Sequence, residues 1–186
     1  MEHQGVIHAI TRITAPLVRS LGLELWGIEI IPSGRTVLRI YVDTPPAAGA
    51  RGPGVDQCAA ISRHISFALE AEDLMPHAYV LEVSSPGLER PFFALAQLAP
   101  YVGEDLALKL GCAQPELPDR KHLRGRLMAV DEHAFAMMAY DAPTGTQLSI
   151  RWDNVCKATL APVLPFANVE KPGKKHSALK ADATSK

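Results

Sequence analysis

Between Tyr79 and Pro91 the chain reads YVLEVSSPGLERP, a strand-like alternation that runs straight into a Pro-Gly corner. Tyr79, Leu81 and Val83 fall on one face of the extended segment, and Val80, Glu82 and Ser84 fall on the other. Pro86-Gly87 then forces the backbone to turn. Polar residues held on a turn by a rigid element are where partners and substrates commonly dock, so Glu82, Ser84, Ser85, Pro86, Gly87 and Arg90 form a candidate partner-binding set. The same corner also suits a structural joint between two domains. Arg90 carries the choice in one side chain. A guanidinium there either makes a two-pronged contact with a partner's carboxylate or phosphate, or braces the fold by pairing with Glu82 or Glu89.

Ahead of the corner the periodicity alternates between helix and strand. Val6, Ile10, Ile13, Leu17 and Leu21 recur at helical spacing, Gly22 stands where a left-handed cap closes a helix, and Pro16 predicts a bend. Leu23 to Ile31 and Thr36 to Val42 read as two antiparallel strands joined by Pro-Ser-Gly-Arg. Residues 44–54, rich in proline and glycine, form a loop. Asp56 is the expected cap of a second helix whose apolar stripe is Cys58, Ile61, Ile65, Ala68 and Leu69. With the strand from about His77, this gives two helices on a three-stranded sheet, closed by a short helix from about Pro91 to Leu98.

Beyond Tyr101 the pattern changes to short strands: Leu106 to Leu110, Leu123 to Val130, Ala134 to Tyr140 and Gln147 to Trp152. Closing them on each other removes exposed edges and gives a small SH3-like or Sm-like barrel. The fold class is therefore α+β in two domains: residues 1–91, a short helix and linker at 92–100, a barrel at 101–167, and a basic tail at 168–186 that is expected to be disordered.

Composition narrows the function. Residues 1–165 carry 14 Lys and Arg against 18 Asp and Glu, while 166–186 carry 5 against 2. A mildly acidic body suits a basic protein partner better than bare nucleic acid. Asp105, Asp131, Glu132, Asp141 and Asp153 are the candidate acidic face in the barrel. One local cluster has the opposite sign, Arg120, Lys121, Arg124 and Arg126, and supports the rival reading of a direct RNA-binding module. Cys58, Cys112 and Cys156 are odd in number and lack a C-x-x-C pair, which argues against disulfides and zinc and makes them small core residues. Trp26, Tyr41 and Tyr79 share faces with aliphatic neighbours and are expected in the core, not on a base-stacking platform. Ser84 and Ser85 lack the strand-Gly-x-Ser-x-Gly-helix setting of a hydrolase nucleophile, and the seven histidines show no metal-ligating pair. No enzymatic role, cofactor or metal is expected. No apolar run reaches the length of a membrane span and the start MEHQGVIHAI has no signal-peptide pattern, so the expected location is cytoplasmic.

The segment LEVSSPGLERP closely resembles the signature of the ribosome maturation factor RimP family, and LGLELWGIEI, LRIYVD, DQCAAISRHIS and WDNVCKATLAPVL follow at the family's order and spacing. The resemblance covers roughly residues 5–165. It implies the same two-domain layout and a monomeric, non-enzymatic factor for assembly of the small (30S) ribosomal subunit. Its implied partners are the 30S precursor, a basic small-subunit ribosomal protein, the twelfth in the usual numbering, and possible contact with 16S rRNA.

Overall fold

The computed structural model describes residues 2–32, 34–45, 52–75, 77–140, 142 and 146–162. Helix α1, Glu2–Ser20, runs through Pro16 as a single element. Its buried line is Ile10, Thr14 and Val18, spaced by four, and the Thr14 hydroxyl satisfies itself by donating to the Ile10 carbonyl at 2.9 Å. Leu21 does not extend this stripe. The helix stops at Ser20, and Leu21 is left 40% exposed. Gly22, at φ +74°, closes a Schellman cap in which Leu23 N–H bonds the Val18 carbonyl and Gly22 N–H bonds Arg19.

Strands β1, Glu24–Ile31, and β2, Thr36–Asp43, pair antiparallel. Helix α2, Val55–Glu72, then carries the chain back so that β3, Tyr79–Ser84, lies parallel to β2, giving the order β1-β2-β3. The cap of α2 is Gly54, not Asp56. The Gln57 side chain reaches back to accept the Gly54 N–H at 3.0 Å, and Asp56 sits in the first turn beside the positive end of the helix dipole. Ile61, Ile65 and Leu69 of α2 join Ile10, Val18, Ile28, Leu38, Ile40 and Val42 in one core, so both helices cover the same face of the sheet.

The second unit is a six-stranded antiparallel sheet in the order β4-β9-β5-β6-β7-β8. Its strands are Pro91–Phe92 (β4), Asp105–Leu110 (β5), His122–Val130 (β6), Ala134–Ala139 (β7), Gln147–Arg151 (β8) and Val155–Leu160 (β9). Leu106, Leu108, Leu123, Leu127, Phe135, Met137, Leu148 and Ile150 all meet in one cluster, which requires the sheet to curl around it as a barrel-like layer. The two-domain α+β expectation holds. Two strands were not anticipated. Pro91–Phe92, expected to open a helix, pairs with Thr159 and Ala158 of β9 instead, and the helix that follows is a 3₁₀ turn over Leu95–Tyr101.

The cysteines depart from expectation. Cys58 is half-buried, but Cys112 and Cys156 are exposed, since Cys156 lies on a barrel strand with its side chain turned away from the core. The tail at 168–186 lies outside the described residues.

Candidate functional site

Trp26 determines how the two units meet. Leu25 faces Val42 and Gly27 faces Tyr41, so Trp26 is an extra residue in β1, a bulge. The insertion reverses the phase of the strand. Leu23 and Leu25 before it, and Ile28 and Ile30 after it, all face the helices, while Trp26 is turned out toward the barrel. The expectation that Trp26 shares a face with Ile28 and Ile30 fails for this reason. Its indole N–H donates to the Pro91 carbonyl at 2.6 Å, and its ring lies 6.1 Å from that of Phe92.

Gly27 follows the bulge and makes room for Phe93. A Cβ at this position would stand 1.9 Å from the Phe93 ring, which also packs 5.6 Å from Tyr41. Gln97 completes the clamp. Its side-chain oxygen accepts the Phe93 and Ala94 N–H groups at 2.7 and 3.1 Å, and its amide donates to the Trp26 carbonyl at 2.6 Å.

Arg90 lies within this junction as an internal brace. It pairs with Asp43 at the end of β2 at 3.0 Å, donates to the Tyr101 hydroxyl at 2.5 Å, and rests 4.9 Å above the Trp26 ring. Neither Glu82 nor Glu89 is its partner. Glu82 pairs with Arg39 across β2 and β3 at 2.7 Å, and the guanidinium of Arg39 is held still more firmly protonated, first by its hydrogen bond to Tyr41 and then by Glu82. Ser84 lies opposite Tyr41, Pro86 is buried, and Ser85 and Gly87 are exposed, with Gly87 at φ +70° making the turn. Neither serine side chain hydrogen-bonds a histidine among the described residues. A cleft of about 700 Å³ opens beside the corner, walled in part by Trp26, Asp43, Ser85, Leu88, Arg90 and Tyr101.

The barrel's acids separate into two groups. Asp105 is buried, accepting the Tyr140 hydroxyl at 2.5 Å with Arg126 at 3.5 Å, so it offers little surface. Tyr140 is held protonated above the usual range, first by that bond and then by burial. Asp131, Glu132 and Asp153 are exposed at one end. The Trp152 N–H donates to the His133 carbonyl at 3.0 Å, which sets the 3₁₀ turn Trp152–Asn154 beside the β6–β7 hairpin and brings the three acids to the same end. Arg151 grips Asp153 at 2.6 Å and holds its carboxyl below the ordinary range. Asp141 lies outside the described residues.

The basic cluster is exposed too. Arg124 and Arg126 project outward from β6, while Arg120 and Lys121 lie on the approach to it. Among the described residues no group of three His, Cys, Asp or Glu gathers as a metal site, and no helix is long and apolar enough to cross a membrane.

The family model for the RimP N-terminal domain matches residues 13–89. The ribosome maturation factor RimP of Nitratidesulfovibrio vulgaris is 46% identical over 169 residues, covering 89% of this chain and 95% of that protein. The chain belongs to the RimP family. Further relatives of that name are found in Lawsonia intracellularis, 36% identical over 176 residues, with 86% of this chain and 89% of that protein covered. Another in Desulfovibrio desulfuricans is 34% identical over 223 residues, with coverages of 94% and 86%. The matched region thus takes in the RimP corner, the bulge and nearly all of the barrel.

Proposed function

We propose that this protein is a ribosome maturation factor for the small (30S) subunit, acting as a non-enzymatic, monomeric cytoplasmic protein that binds the maturing particle transiently. Its relatives carry the name ribosome maturation factor. In this reading its client is a basic small-subunit ribosomal protein, the twelfth in the usual numbering, and it meets the exposed acids Asp131 and Glu132 together with Asp153, whose surface pair with Arg151 is exposed and weak enough to exchange. The observation that carries the client assignment is the bond from Trp152 to His133, which joins acids from two separate segments into one anionic end. Charge complementarity of this kind speeds encounter more than it deepens affinity, which suits a factor that must leave again.

The test has two arms. Replacing Asp131, Glu132 and Asp153 together by lysine should slow association with the purified client about tenfold at low salt, with the melting temperature little changed because all three are on the surface. Unaltered association would remove the acidic end from the client face. Deleting the encoding locus should accumulate free subunits with unprocessed small-subunit RNA on a sucrose gradient, and a normal gradient would count against the assembly role itself.

A further inference from the structure

Strand register exposes a row of like charges. On the outer surface of the barrel Lys109 of β5 stands directly opposite Lys157 of β9 on one side and His122 of β6 on the other. Ala107, two residues back, is opposite Arg124 and Thr159. Side chains directly across an antiparallel pair have Cβ atoms about 4.5–5.5 Å apart, and like charges so placed destabilise the sheet. Little in the protein offsets this. Lys109 has no carboxylate at ion-pair distance among the described residues, and Lys157 has only Glu29 at 4.0 Å. Arg124 spends one hydrogen bond of 3.3 Å on the Ala161 carbonyl and is otherwise exposed.

We propose that the β9–β5–β6 face, through Lys109, Lys157 and Arg124, binds the phosphate backbone of single-stranded RNA. Repulsion between the two lysines is relieved when a phosphate sits between them. Arg124, about 7 Å further along the strands by the rise of two residues, reaches the neighbouring phosphate. The row lies on strands fixed by the barrel core, so the positions that carry the cations are set before RNA arrives. The backbone is engaged without base readout, because no exposed aromatic belongs to the row itself. This face is distinct from the acidic end assigned to the client, and its test is independent of that assignment.

The full-length protein is titrated into a fluorescently labelled uridine oligomer across a potassium chloride series. Two neutralised phosphates predict that log affinity falls against log salt with a slope of about −1.4, at roughly 0.7 per phosphate. Replacing Lys109 and Lys157 together by alanine should reduce the slope to about −0.7 and leave the melting temperature unchanged or raised. An unchanged slope overturns the proposal, and so does a lowered melting temperature, which would make the row a structural element. Displacement of the oligomer by polyglutamate at equal charge concentration would reassign the face to an acidic protein and equally overturn it.

Discussion

The corner at Ser84–Arg90 and the charged surfaces of the barrel differ in where their polar groups find partners. At the corner, Arg90 is committed to Asp43, Tyr101 and the Trp26 ring, and its side chain is only 21% exposed. On the barrel, Asp131, Glu132, Lys109 and Lys157 face solvent, and the pairs they form there are absent or near the limit of contact. A charge satisfied inside the molecule cannot lose its partner without a large cost in stability; a charge left in water is available to another molecule. The corner therefore joins the two domains through contacts inside the molecule, and the barrel leaves its charges in water.

Arg90→Ala would break this comparison most directly. Removing one member of a largely buried, hydrogen-bonded pair leaves Asp43 without its countercharge, at about 3 kcal/mol. For a chain of this length that is a fall of roughly 6–12 °C in melting temperature. Calorimetry on Arg90→Ala, Asp43→Ala and the double variant should give a coupling of about 0.5–3 kcal/mol. If Arg90→Ala melts like the parent but binds ribosomal particles weakly, the corner is a docking surface and the distinction drawn above is wrong.

Gly27→Ala tests the same junction from the side of packing. The added methyl must displace the Phe93 ring, and forcing a carbon into a filled contact costs about 1–3 kcal/mol. Pairing it with Phe93→Ala should recover part of the loss, because the methyl then occupies space the ring vacated. Thermal melts of the single and double variants check this, and an additive double variant would mean that Gly27 and Phe93 do not meet.

Much of the fold is legible because local rules and burial agree. The Schellman cap at Gly22 and the alternation of Tyr79, Leu81 and Val83 each follow from a few neighbouring residues. Junction chemistry is long-range and is harder to read. Trp26 meets Pro91 across 65 positions, and Gln97 meets Trp26 across 71. One local signal was nonetheless present. The apolar phase shifts from Leu23 and Leu25 to Ile28 and Ile30, and a glycine follows the odd residue, which is the sequence mark of a bulge and a close approach. Strand β4 has only two residues, too few for any period to appear, and Asp105 cannot be told from the exposed acids without knowing that Tyr140 folds over it.

Tyr140 provides the smallest test, at a site that belongs to the open barrel but is bonded inward. The phenol donates to Asp105, and that bond, ahead of burial, raises its pKa. A raised value in the folded state means that the fold favours the protonated phenol. Its stabilisation is complete below the unfolded value near pH 10, and is lost as pH climbs from there through the higher folded value. The melting temperature should therefore decline on the alkaline side of about pH 10, and Tyr140→Phe should flatten part of that decline. Tyr41 and Tyr79 are also raised, in each case first by burial, so a phenolate absorbance titration of the parent alone would mix three late transitions. The difference between the parent and Tyr140→Phe isolates one. If that difference is centred at the ordinary tyrosine value near pH 10 and the two proteins melt identically, the phenol is not anchored by Asp105.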